Sequence, residues 1–412
     1  MLSQTLNTVM KVSFRQKLKD HQSFWILILS AGVYYFFNIW LKQVVSDTAF
    51  GEYSLLNSYV TIASTFALLG GDQLILREAE SKDEKLVLAK STLNLSLFLL
   101  ICFSFTGPAI FSLWFDLEIY KAVLLCLVSL LAGLSILIFS FFRIANLLVK
   151  AQIQKNLWKL LLFVTALLVW LATRSISVGL LYVIIVASFL VGIIIHLKDT
   201  RALNLSLFKS ETKPNYRLWL GFALSMLIMS LLSNGDRFLI DRFVGREELG
   251  EYFYLQNLFL FPLTQLQNYS GFREFSNFKN RFSIKELRTT LVQNASLALV
   301  IAFGLLTAAY LLDNFYLPLQ INWGKQLPLI LLLTITGMAR VSYAVLSAGM
   351  GATATSSMVK RANIWSLILF VLFTIPFCFT TISIYSITTV FLLYWLIRGS
   401  VFYKVIAATH EI

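Results

Sequence analysis

Hydrophobic runs near 20 residues long, each closed by charged or turn residues, recur along the whole chain. Runs of that length match the thickness of a bilayer when coiled as helices. Twelve are read, at about 23–42, 53–75, 89–111, 120–142, 156–174, 176–196, 217–240, 249–271, 289–312, 326–349, 361–381 and 383–404. Short polar breaks at Arg174–Ser177 and Thr380–Ser383 separate the closest pairs. The pattern predicts an all-α polytopic membrane protein of about twelve transmembrane helices.

Composition agrees. The 412 residues are 58% hydrophobic and only 13% charged, with a mean hydropathy of +0.76. A soluble domain carries about 25% charged residues, so this chain has too little polar surface to cover a water-soluble particle. Its net charge of +13 is topological: 26 of the 34 Lys and Arg fall on the segments that share a side with the N-terminus. Seven fall on the opposite side, and Arg340 lies mid-span. This bias places both termini in the cytoplasm, and no nucleic-acid partner is expected.

The connections are short. The expected organisation is a basic cytoplasmic segment at 1–22, a six-helix lobe at 23–196, a cytoplasmic linker at 197–216, a second six-helix lobe at 217–404 and a short cytoplasmic tail at 405–412. Residues 1–22 have no apolar core or cleavage site of a signal peptide. Leu2, Leu6, Val9 and Val12 recur there at helical spacing, which fits an interfacial helix as well as a loose basic tail.

The two lobes echo each other. Phe50-Gly-Glu-Tyr-Ser-Leu-Leu-Asn57 matches Leu249-Gly-Glu-Tyr-Phe-Tyr-Leu-Gln256, and Lys90-Ser-Thr-Leu93 matches Arg288-Thr-Thr-Leu291. Asn156-Leu-Trp158 matches Asn363-Ile-Trp365, and Arg77-Glu78 matches Arg273-Glu274. Common order and near-constant offset point to a parallel repeat. Such repeats are typical of secondary transporters, whose substrate site lies where the repeats meet.

Catalysis finds no support. His21, His196 and His410 are scattered without ligand spacing, and no glycine loop with its lysine marks an ATPase. Cys102, Cys126 and Cys378 sit in apolar runs and read as small hydrophobes. The expected protein is not an enzyme and needs no cofactor beyond a coupling ion, Na+ or H+.

Polar stripes on the spans carry the candidate chemistry. The first span has Ser30, Tyr34, Asn38 and Lys42; the second has Tyr53, Asn57, Thr61 and Ser64, with Asp72, Gln73 and Arg77 at its cytoplasmic end. The seventh carries Ser230, Ser233, Arg237 and Asp241, with Asp236 alongside. The eighth carries Gln256 and Gln267, and the tenth Thr336, Arg340, Tyr343 and Ser347. Hydroxyl and amide groups also glue membrane helices together, and Asp236–Arg237 also reads as a structural ion pair. Arg340 lies deep in its span with no acid nearby in sequence, so it is expected to face a wet cavity or an anionic ligand. The corresponding stretch of the first lobe, Ala132–Phe139, has no charge, so the cationic feature is expected in one half only. Arg77 and Arg273 are placed at the cytoplasmic mouth.

Phe50-Gly-Glu-Tyr-Ser-Leu-Leu-Asn-Ser58, followed by Ala67-Leu-Leu-Gly-Gly-Asp-Gln-Leu-Ile-Leu-Arg77, resembles the opening of the polysaccharide (O-antigen and capsule unit, Wzx-type) flippases. These belong to the multidrug/oligosaccharidyl-lipid/polysaccharide exporter superfamily. Asp236-Arg-Phe-Leu-Ile240 with Leu249-Gly-Glu-Tyr252 resembles the start of that family's second half. The resemblance implies a bacterial inner-membrane transporter that moves undecaprenyl-pyrophosphate-linked oligosaccharides outward by alternating access. It also implies membrane lipids, a polysaccharide polymerase and chain-length proteins as partners. Substrate-contacting positions vary within that family, so the roles are assigned from this sequence: Arg237 and Arg340 are expected to attract the pyrophosphate or acidic sugars. Asn38, Asn57, Gln256 and Gln267 contact hydroxyls. An ion-coupled multidrug exporter of the same architecture is the rival; a polysaccharide polymerase or ligase is disfavoured by the lack of a large outer loop.

Overall fold

A computed structural model describes residues 22, 25–82, 85–201, 203, 205–208, 215–315, 319–375 and 382–410. Residues 1–21 with His21 and the apolar repeat, Cys378 and half of the Thr380–Ser383 break lie outside these residues. The helices are α1 (Trp25–Val44), α2 (Asp47–Phe66), α3 (Gly71–Glu78), α4 (Lys90–Phe115), α5 (Ile119–Ile144), α6 (Leu148–Thr173) and α7 (Val178–Arg201). There follow α8 (Tyr216–Phe243), α9 (Arg246–Leu255), α10 (Phe261–Asn280), α11 (Ile284–Phe315), α12 (Trp323–Thr353), α13 (Ser356–Thr374) and α14 (Ile384–His410).

Ten stretches of the described residues are long and apolar enough to cross a membrane. They include every expected span but two, the eighth and the eleventh, which correspond to α9–α10 and α13. The Arg174–Ser177 break is where α6 ends and α7 begins, with Arg174 left-handed at φ 56°. The fold is that of an all-α polytopic membrane protein, with one small addition. Strands β1 (Glu80–Lys82), β2 (Lys85–Ala89) and β3 (Leu205–Phe208) form a three-stranded sheet in that order. β2 runs parallel to β3, in the register Leu86↔Leu205 to Ala89↔Phe208. The connection before α4 is therefore tied to the one before α8.

Two compact units divide at Asn234–Gly235. In the first, the stretch that holds α2 and α3 (Asp47–Glu78) is the most enclosed of the candidate spans: 61% of its spanning window is buried. In the second, α12 takes that place at 67%, while only 17% of the α11 window is buried. Exposed Val292, Val300 and Phe303 give α11 a lipid-facing surface. An inside-out pattern results, with amides, hydroxyls and charges collected on the central helices and apolar side chains outside.

Two expected spans are broken, each for a local reason. The second run is one hydrophobic stretch but two helices. Leu69 at φ 47° and Gly70 at φ 82° turn the chain between α2 and α3. Gly70 is required: a Cβ there would stand 2.8 Å from the backbone nitrogen of Ala223 on α8. The Trp219 indole donates to the Leu69 carbonyl at 2.7 Å, closing α8 onto the turn. Asp72, Gln73 and Arg77 thus sit on a separate helix and not at the end of the Tyr53–Ser64 stripe.

The eighth run is divided by a π turn at Gln256–Leu260, where the Phe261 N–H reaches the Gln256 carbonyl five residues back. Pro262 follows and has no N–H for the regular ladder, so the extra residue is accommodated there. The insertion rotates Gln267 away from the face it would share with Gln256.

Candidate functional site

In the first unit Asn38 and Asn57 come together through two tyrosines. The Tyr53 hydroxyl donates to Asn38 Oδ1 at 2.9 Å, and the Tyr34 hydroxyl donates to Asn57 Oδ1. Tyr53 also lies 3.2 Å from the Tyr34 hydroxyl. Both amides are buried. They tie α1 to α2, and their carbonyl oxygens are already engaged.

Next to this cluster runs a column of cations that hydropathy counting assigns to the cytoplasmic loops. Lys159, in the fourth turn of α6, donates to Asn156 Oδ1 at 3.0 Å and lies over the Tyr34 ring at 5.7 Å. Lys155 and Arg143 lie over the ring of Phe139, at 5.2 and 5.4 Å. Aromatic faces hold cations electrostatically without neutralising them. Phe139, Arg143 and Lys155 line a cavity of about 180 Å³, which Asp72, Gln73 and Ser64 line as well. The cationic feature therefore does not belong to one half only. Ala132–Phe139 is uncharged, but the neighbouring helix end and α6 bring the charge to it. Lysines at 150, 155 and 159, four or five residues apart at the start of an apolar span, are the signal that could have been read.

In the second unit, Asp236 is the hub. Its Oδ2 accepts from the Tyr252 hydroxyl at 2.7 Å and from Gln256 Nε2 at 2.6 Å, and its Oδ1 accepts the Arg237 backbone N–H at 2.9 Å. The Arg237 guanidinium donates from Nε to Gln256 Oε1 at 2.8 Å and lies 4.6 Å over Phe253. Arg340 donates to Gln267 Oε1 at 3.0 Å and stacks 5.1 Å over Trp395. It is buried, 8% exposed. Sequence places no acid near Arg340, but the fold brings it within electrostatic range of Asp236 as well as Arg237. One carboxylate thus serves two guanidiniums, leaving the cluster at +1.

Tyr343, expected beside Arg340, is engaged elsewhere. Arg398, counted as a cytoplasmic cation, is only 2% exposed and donates to the Tyr343 hydroxyl at 2.8 Å, the Tyr394 hydroxyl at 3.0 Å and Asn363 Oδ1 at 3.0 Å. Arg77 and Arg273 are both exposed, and Arg273 stands 3.6 Å from Glu274.

No family model matches the chain, and no curated protein matches it. Among solved structures, a MATE transporter crystallised in complex with Br-NRF aligns with a TM-score of 0.56. The alignment covers 96% of this chain and 96% of that chain, at 14% sequence identity. The chain thus shares the fold of that MATE transporter, and its apolar helices make it a multi-pass membrane protein.

Proposed function

We propose that the protein is a flippase that carries pyrophosphate-linked oligosaccharides on a polyprenyl lipid from the cytoplasmic to the outer leaflet of a bacterial inner membrane. One observation carries the reading: cations at membrane depth are held by neutral groups. Arg340 rests on Gln267 and Trp395, and Lys155 and Lys159 rest on aromatic rings. A guanidinium so held keeps its attraction for phosphate oxygens, and its fork matches their geometry. Hydroxyls and amides beside the cations suit sugars, and the apolar outer surface leaves the lipid tail in the bilayer.

The test is deletion in the source strain, followed by the sidedness of lipid-linked units. Flippase loss leaves complete units facing the cytoplasm. Loss of a polymerase still displays single units outside. Units that reach the outer face normally without the protein would overturn the reading.

A multidrug-type exporter is the second reading, and the structural likeness to a MATE transporter favours it. It calls for a carboxylate that attracts cationic drugs, and Asp72 and Asp236 are the enclosed carboxylates on hand. In that case deletion raises sensitivity to lipophilic cations while unit export continues.

A further inference from the structure

The cavity of the first unit holds chemistry that the flippase reading leaves unassigned. Its volume of about 180 Å³ is below the roughly 300–1,000 Å³ of pockets that enclose drug-sized ligands. It is also several times the about 30 Å³ share of one water. One sugar ring is the right scale; a whole oligosaccharide is not.

The lining is of two kinds. On one side stand Arg143 and Lys155, both accessible and sharing the ring of Phe139. On the other stand polar groups with bonding capacity to spare. Asp72 is 5% exposed; its Oδ2 accepts from Gln73 Nε2 at 2.7 Å, but its Oδ1 is enclosed and accepts no hydrogen bond among the described residues. Ser64 Oγ is enclosed in the same way. An enclosed polar atom left unbonded costs about 1–3 kcal/mol, and two of them at one cavity mark a place where a ligand's own donors and acceptors complete the set. A carboxylate acceptor suits sugar hydroxyls, and two cations against that single carboxylate leave one positive charge for an acid.

We propose that this cavity is a carbohydrate subsite for one sugar residue that bears an acidic group. Its hydroxyls bond Asp72 and Ser64, and its carboxylate or phosphate lies against Arg143 and Lys155. The proposal rests on the flippase reading and names the part of the substrate recognised by the first unit.

The test uses the full chain in lipid nanodiscs, titrated calorimetrically with glucuronate, glucose 1-phosphate, glucose and inorganic phosphate. Both acidic sugars are expected to bind at least tenfold more tightly than glucose, and more tightly than phosphate. Lys155→Gln should remove most of that preference, bringing the acidic sugars down towards the affinity of glucose. Ser64→Ala and Asp72→Asn should weaken acidic and neutral sugars alike, with melting temperature confirming that each variant is folded. Equal binding of glucose and glucuronate would overturn the proposal. So would phosphate matching glucose 1-phosphate, or no sugar binding at all. Unit export in the deletion strain is scored separately, so failed sugar binding with blocked export removes this proposal alone. Normal export with intact sugar binding removes the flippase reading alone.

Discussion

Tyr252 donates its hydroxyl hydrogen to Asp236 as Tyr53 donates to Asn38. Both tyrosines close a Gly-Glu-Tyr motif, and both acceptors sit on the helix before it, so the weak sequence repeat corresponds to a repeated contact. The two differ in the charge of the acceptor. A hydrogen bond to a charged group contributes about 1.5–3 kcal/mol against about 0.5–1.5 for a neutral one. Tyr252→Phe is therefore expected to lower the melting temperature in detergent clearly more than Tyr53→Phe. Equal losses would mean that the Asp236 charge is already satisfied by its other donors.

Arg340 offers the sharpest functional test. Its guanidinium is bonded to a neutral amide and stacked on Trp395, so removing it strands no carboxylate in a direct ion pair. Arg340→Ala is expected to abolish surface polysaccharide in a complementation assay while membrane levels of protein stay normal. Arg340→Lys should restore little, because a point charge replaces a fork. Full complementation by Arg340→Ala removes this residue from the substrate path.

Arg398 should behave in the opposite way. It joins α12, α13 and α14 through three acceptors, and each hydrogen bond from a charged donor contributes about 1.5–3 kcal/mol. Arg398→Leu is expected to lower yield and melting temperature clearly, by more than either tyrosine variant above. Export per folded molecule should be unchanged. A variant that is stable but inactive would give Arg398 a role in transport.

Gly70 tests the break between α2 and α3. Gly70→Ala puts a Cβ at a left-handed φ and 2.8 Å from the Ala223 backbone nitrogen, where α8 must move to make room. Loss of folded protein is expected. Gly32→Ala and Gly192→Ala meet nothing within 4 Å and serve as neutral controls; a normal yield of Gly70→Ala would show that the turn tolerates a side chain.

Hydropathy reveals most spans because bilayer thickness imposes one length on every run. It is blind to backbone geometry inside a run. Ala67-Leu-Leu-Gly-Gly71 is as apolar as its flanks, and only φ angles show the break. The π turn is hidden for the same reason, although Pro262 is a visible hint. Candidate residues divide similarly. Asp236, Arg237 and Arg340 stand out because charge is rare at that depth. Lys155, Lys159 and Arg398 pass for loop charges because they lie near the ends of runs, and the rings and hydroxyls that hold them come mostly from other helices. Only packing brings those partners together.

The glutamates of the two Gly-Glu-Tyr motifs supply the last prediction. Glu52 pairs with Lys121 in the first turn of α5 at 2.7 Å, and Glu251 accepts from Gln326 Nε2 in the first turn of α12 at 2.6 Å. The tie recurs, ionic in one unit and neutral in the other. Lys121→Gln copies the neutral form, and a pair this near the surface contributes about 1 kcal/mol or less, so only a small loss of stability is expected. That loss should shrink further in 1 M salt, where the Debye length is about 3 Å. Acid gives an independent check. Hydrogen bonding from Lys121 holds the exposed Glu118 carboxyl below its ordinary value. A depressed carboxylate stabilises the fold above its unfolded pKa and loses that contribution as pH falls through its folded one. Wild type should therefore lose more stability than Lys121→Gln as a thermal-melt series is carried down through the carboxylate range. Parallel curves would show that Lys121 stabilises neither Glu52 nor Glu118.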